Sequence, residues 1–437
     1  MRTIILTLTA ALAATAALAQ GEPSAANDTL IVQNARLYTM ADANGGLIEN
    51  ADVIVRGGVI VAVGQDVAAP EGARAYDAKG RIVTPGIFAP WSQLGLVEIG
   101  LDQESNDSSP EGDYPHSAAL DAADAFNPAS TLIAINRAGG VTRAATAPEP
   151  GAKLFGGQGA IVSLSGAAES VTRERALQSV AMGYAGAARS GDTRMGAWAD
   201  FREAIEEARA YAANPGGYAL RPRMTGLSLN DLAALAPAAR GAQPLVVAAN
   251  GAADLRMLIK TKARYGLNVI VLGGTEAHLV AKELAAAQIP VILNPILNLP
   301  EQFEDLAATQ ANAARLHAAG VTIAFYDPPS GSHNLRLLPQ LAGNAVANGL
   351  PYAAALAALT INPARIYGVA ARHGSVEVGK VGDLVVWSGD PLETSSRPDA
   401  VFIDGRATSL TTRQTRLRDR YRDLSRGDLP HAYRGAQ

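Results

Sequence analysis

Short apolar runs alternate with polar positions through residues 30–32, 35–40, 51–56 and 59–63, with Gly57-Gly58 between the last two. A period of two predicts half-exposed strands, and the glycine pair predicts a tight hairpin. A further strand is expected at 73–76. The β-branched run Ile82-Val83-Thr84 then meets Pro85-Gly86 before a second apolar run, Ile87-Phe88, so one strand ends and another begins across a sharp break. A matching β segment lies far downstream, at 384–387 after Gly382-Asp383 and at 399–403 before Asp404-Gly405. Neither set has enough strands to bury a sheet face alone. Residues 20–84 and 369–410 are therefore expected to combine into one small β-sandwich.

Between them, residues 85–368 alternate continuous apolar runs with helical patterning. The clearest strands are 245–249, 269–272, 291–294 and 321–325, and helices are expected at 254–265, 278–287 and 301–319. Unbroken apolar runs are what buried parallel strands look like. The length suits an eight-stranded (β/α)8 TIM barrel, whose chemistry sits where strands end and loops begin. In the first half the strand candidates are 133–142 and 159–164. Residues 411–437 form a tail, with a basic helix expected at 411–427.

The 437 residues and 48% hydrophobic content allow one large domain with a smaller companion. A net charge of −4 argues against a nucleic-acid or membrane-surface partner. The absence of cysteine removes disulfides, thiol nucleophiles and thiolate metal sites together. Residues 1–19 have the form of a signal peptide: Arg2, an apolar run at 4–18, and Ala17-Leu18-Ala19 as the cleavage signal. A periplasmic or secreted protein is expected, with no membrane span after cleavage.

The stretch GRIVTPGIFAPWSQLGL at 80–96 resembles the metal-dependent amidohydrolases, in particular the imidazolonepropionase-like branch. The resemblance is strongest at 342–392, with Asn362-Pro363-Ala364-Arg365, Gly374-Ser375-Val376-Glu377-Val378-Gly379-Lys380 and Gly389-Asp390-Pro391. It implies a metal-bearing TIM barrel with a composite β-sandwich that hydrolyses carbon–nitrogen bonds other than peptide bonds. It also implies ligands: His-x-His after the first strand, His on strands five and six, and Asp after strand eight. Here those positions read Trp91 and Gln93, Ala248 and Asn250, Gly273, and Asp327. An indole only donates hydrogen bonds and a neutral amide is a poor zinc ligand, while a catalytic zinc takes three protein ligands. No metal and no other cofactor is expected.

Two kinds of candidate remain. Asp327 and His333, in the loop after strand eight, form a possible carboxylate–imidazole pair for proton transfer. Against it stands the ordinary reading of His333 as a surface histidine. Trp91, Gln93, Asn250, Glu276 and His278 are candidate pocket residues, with packing roles as the alternative for Trp91 and helix-start roles for Glu276 and His278. The acidic stretch 102–113 lacks calcium-loop spacing, and Gly151–Gly159 lacks a P-loop ending. Ser163 and Ser165 lack the nucleophile-elbow pattern. The expected function is hydrolysis of a small amide-like or cyclic substrate. The alternative is an inactive binding subunit, a homo-oligomer or the partner of an active homologue.

Overall fold

A computed structural model describes residues 28–218, 225–327 and 329–422. The expected signal peptide lies outside them, as does the tail beyond the helix Arg413–Tyr421. Thr412 caps that helix, its hydroxyl accepting from the Thr415 N–H.

Eight strands make the smaller sheet. Five come from the N-terminal side: β1 (Thr29–Tyr38), β2 (Leu47–Arg56), β3 (Val59–Gln65), β4 (Arg74–Asp77) and β5 (Ile82–Pro85). Three come from the far end: β14 (Leu384–Trp387), β15 (Pro398–Ile403) and β16 (Arg406–Ala407). Gly57 and Gly58, at φ 55° and 82°, make the β2–β3 hairpin. The two chain ends join where β5 pairs antiparallel with β14. The outer edge of β3 is held by residues 379 and 380 through Ile60 N–H to Lys380 O (2.8 Å) and Gly379 N–H to Ile60 O (2.8 Å). The sheet thus folds over a core of Val32, Leu37, Val53, Ile60, Leu384 and Phe402.

The larger sheet runs in strand order through β6 (Ile87–Ser92), β7 (Val141–Thr146), β8 (Phe155–Ser163), β9 (Val171–Ala181), β10 (Leu245–Ala249), β11 (Val269–Gly273), β12 (Val291–Leu293) and β13 (Ile323–Phe325). Its end strands β13 and β6 approach one another without a ladder, leaving a nearly closed barrel. Phe88, Trp91, Val246, Ile270, Leu272 and Ile292 pack inside it. No helix among the described residues is long and apolar enough to cross a membrane.

The first half of the barrel departs from a plain β/α repeat. β8 runs antiparallel to both neighbours, so β7, β8 and β9 form a meander. Residues 133–138, expected as strand, belong to the helix Thr131–Ala138, which Ser130 caps through the Leu132 N–H. The strand starts only after Gly139-Gly140, at the β-branched Val141-Thr142, and therefore ends at Thr146. The helix expected at 301–319 is confined to Asn312–Ala318, preceded by a loop with one short turn at Phe303–Asp305. Within 278–287, a 3-10 turn at Ala277–Val280 precedes the helix Ala281–Ala286.

Arg143 of β7 ties the two parts together. It is 3% exposed and grips Asp383 through two bonds, Nε–Oδ2 at 2.6 Å and Nη2–Oδ1 at 3.0 Å, and reaches Asp404 at 2.6 Å. Burial works against both charges. The Asp383 and Asp404 carboxylates nevertheless hold the guanidinium protonated, and Arg143 holds Asp383 below the usual carboxylate range. Burial, with Arg143 beside it, pushes His373 down to about 4.

Candidate functional site at the barrel mouth

The strand ends surround a cavity of about 280 Å3. Trp91 enters from β6, Ala248 and Asn250 from the end of β10, and Gly273 from β11. Tyr326 stands just past β13. Two glutamates also face it: Glu149 from the loop after β7, and Glu304 from the loop after β12.

Glu304 folds back into the mouth. Its Oε2 accepts the Tyr184 N–H (3.1 Å) and its Oε1 accepts Asn250 Nδ2 (3.4 Å). Gly183 makes this approach possible: at φ 61° it carries no side chain, and a Cβ there would lie 2.5 Å from Glu304 Oε2. Burial raises the Glu304 carboxyl, the Tyr184 N–H opposes the rise, and Asp305 and Asp254 add to it.

Glu149 is raised by burial too, with Gln93 and Arg189 pulling the other way. The Gln93 amide faces Glu149 without reaching normal hydrogen-bond geometry, and its Nε2 is without a partner. Trp91 Nε1 is also unpartnered, although the two residues are only 2% and 5% exposed. Buried donors without acceptors are rare and costly in a finished protein. Arg189 is held by three carbonyls, those of Gly151 (2.7 Å), Ala185 (2.6 Å) and Pro150 (2.6 Å). Burial, with Asp327, Asp305 and Glu149 nearby, pushes the Tyr326 phenol up to about 12, so it stays a neutral O–H.

Of the residues expected from sequence, Trp91 and Asn250 line the cavity and Gln93 stands behind Glu149. Glu276 and His278 do not line it. The Glu276 carboxylate is taken up by backbone, accepting from Ala252 N–H (3.0 Å) and Ala307 N–H (3.1 Å). His278 donates its own N–H to Asn312 Oδ1 (3.1 Å), and burial, then Arg315, lowers its imidazole. Tyr326 takes the lining place one residue before Asp327. Asp327 is raised by burial and lowered by His333, yet no hydrogen bond or ion pair joins them, and His333 is exposed. Glu149, Glu304, Arg189 and Tyr326 were not legible as site residues. Glu149 was hidden by the misplaced end of β7, and Glu304 by the helix expected at 301–319.

A model of the amidohydrolase family matches residues 249–408. The chain is 28% identical to an imidazolonepropionase of Sphingopyxis alaskensis over 82% of its own length and 92% of that protein's. It is 26% identical to the amidohydrolase tasK of Hapsidospora irregularis over 86% of itself, but spans only 43% of that protein. Among solved structures it is similar to an amidohydrolase of Thermotoga maritima MSB8, with a TM-score of 0.77, 29% identity, and coverage of 87% of this chain and 99% of that one.

The chain belongs to the amidohydrolase superfamily.

The catalytic metal implied by that family does not fit this donor set. At the β10 and β11 positions stand Ala248, Asn250 and Gly273, none of which carries an imidazole. Gly273 cannot simply be replaced, because it sits at φ 95° and a Cβ there would lie 2.3 Å from Asn250 Oδ1. No group of three or more His, Asp or Glu side chains that could hold a metal ion occurs among the described residues. What the mouth does offer is two desolvated carboxyls, two unpaired buried N–H donors and a phenol.

Proposed function

We propose that this amidohydrolase-family protein takes a small amide-like or cyclic solute into the barrel mouth and acts on its carbon–nitrogen bond through protonatable carboxyls. The packing of Glu304 on Asn250, and of Asn250 against Gly273, carries this reading, because it fills the strand-five and strand-six quarter with groups that hold protons rather than metal. In this scheme the Trp91 N–H receives the substrate carbonyl oxygen, where negative charge develops as water adds, and the Gln93 amide orients Glu149. Glu149, whose carboxyl burial raises, takes the proton of the attacking water and passes it to the departing nitrogen, a role worth about 10²–10⁴ in rate. The form of residues 1–19 supports export to the periplasm or beyond as part of the same proposal.

A second reading, a binding subunit without turnover, is supported by Asp327 and His333 making no hydrogen bond or ion pair with each other, although His333 lowers the Asp327 carboxyl. One experiment tests both. Purified protein is assayed on a panel of amides, lactams and cyclic ureides, with elemental analysis of the same sample. The hydrolase reading expects turnover that survives chelation and falls about 10²-fold or more in Glu149→Gln. Ligand-induced thermal shifts without turnover support the binding subunit. Stoichiometric metal whose removal abolishes turnover overturns the carboxyl scheme.

A further inference from the structure

The charge of the mouth narrows what can enter it. Glu149 and Glu304 line the cavity, and Asp305 and Asp327 stand close enough to act on the Tyr326 phenol. Against these acids, Arg189 is the one cation among the described lining residues. Its Nε, Nη1 and Nη2 each already serve a backbone carbonyl, so it braces the loop at Pro150 and Gly151. With that one guanidinium already facing Glu149, a ligand carboxylate or phosphate would meet more like charge than opposite charge in the mouth.

A second observation, independent of the acids, points to an acceptor on the ligand. Trp91 lines the cavity at 2% exposure and its Nε1 has no partner, and the amide of the 5% exposed Gln93 has an unpartnered Nε2 beside Glu149. An indole N–H only donates, so it calls for an oxygen from outside the chain. Of these two donors the indole N–H is the one on the cavity wall, so the same ligand must supply donors to two carboxyl groups and an acceptor to Trp91 Nε1. The rest of the wall, including Val180, Val246, Ala248 and Leu272, is apolar and suits a short carbon skeleton.

We propose that the mouth selects a small amide that carries a basic amine, with the ammonium facing Glu149 and Glu304 and the amide carbonyl facing the Trp91 indole N–H. This rests on the mouth being the ligand site, and adds to it a sign of charge. An ammonium recovers, by charge-assisted hydrogen bonds, the solvation that the buried carboxylates give up. Neutral amides satisfy the indole N–H alone, and acid-bearing amides are disfavoured.

Three amides of matched length test this: ε-aminocaproamide, caproamide and the monoamide of adipic acid. They differ at one end, in ammonium, methyl and carboxylate. Calorimetric titration of the full chain near neutral pH should give the aminoamide about tenfold tighter binding than caproamide, with the acid-bearing amide weakest. Added salt should weaken the aminoamide and leave caproamide unchanged, a readout that needs no variant. Glu149→Gln and Glu304→Gln should each shrink the preference for the aminoamide over caproamide. Equal binding of the first two, or tighter binding of the acid, overturns the charge preference while leaving the mouth as the site. Binding of none of the three overturns the site as well.

Discussion

The Asn250 side chain occupies the space into which any side chain at Gly273 would grow: a Cβ built at 273 falls 2.3 Å from Asn250 Oδ1. Asn250 is held there by the Glu304 carboxyl, 3.4 Å from its Nδ2. These three residues come from the ends of β10 and β11 and from the loop after β12, so a change at one is felt at the others.

Gly273→Ala should therefore destabilise the protein by about 1–3 kcal/mol through its positive φ, with a steric share added by Asn250. Asn250→Ala should relieve that share, so the double variant loses less than the two single losses combined. Urea denaturation of the four proteins measures the coupling. Strict additivity would mean that the contact is not felt. Gly273→His alone should bring no stoichiometric zinc in elemental analysis.

Glu276 accepts two backbone N–H groups, Ala252 at the start of one helix and Ala307 in the loop that carries Glu304. Glu276→Ala leaves both donors unpaired, at a cost of about 1–3 kcal/mol. The loop should loosen more than the barrel does. Faster protease cleavage near the exposed Phe303 and Leu306, together with faster amide exchange at Ala307, is the expected result. Unchanged exchange at Ala307 would refute the tie.

The Arg143–Asp383 pair crosses from the barrel to the small sheet. Removing one partner strands a buried charge, so Arg143→Ala should cost about 3–5 kcal/mol in denaturant. Replacing both partners with apolar residues should cost less than the single change. Because Asp383 lies below its usual range when folded, its share of stability is complete above the ordinary carboxylate pKa and is lost only as pH falls below that.

His373 behaves in the opposite region of pH. Its folded pKa of about 4 lies below the ordinary 6.5, so between those values the unfolded chain binds more protons than the folded one. Stability then falls as pH drops from 6.5 towards 4, by about 3 kcal/mol in all. His373→Gln should flatten that part of the stability–pH curve. An unaltered slope would assign the acid sensitivity to other groups.

Trp91→Phe removes an unpaired buried donor and keeps an aromatic ring. Its stability should change by under about 1.5 kcal/mol, in line with other shape-conserving core changes. Ligand affinity should fall about tenfold if the indole N–H meets a carbonyl, as one lost hydrogen bond implies. Unchanged affinity would make Trp91 a wall residue only.

Much of the second half of the barrel could be read residue by residue. The run Leu245–Ala249 is the observed β10 to the residue, because a short apolar segment bounded by polar residues has few other uses. The joining of the two chain ends followed from strands too few to bury themselves. The first half resisted for local reasons. Leu132-Ile133-Ala134-Ile135 suits helix and strand alike, and only the glycines at 139 and 140 mark where the strand begins. The antiparallel course of β8 leaves no trace in periodicity, since a buried strand reads the same in either direction.

Strand positions, the small sheet built from both termini, and the absence of imidazole at the family's ligand positions are properties of the amino-acid order, because backbone periodicity and side-chain chemistry are local. Which polar groups face the cavity was decided only on folding. Glu276 lies three residues after the family's ligand position at Gly273 and serves the backbone, whereas Glu149 and Glu304 sit in plain loops and face the mouth. A loop side chain points where distant contacts hold it: Glu304 is aimed by Tyr184, 120 residues earlier, and by Asn250, 54 residues earlier.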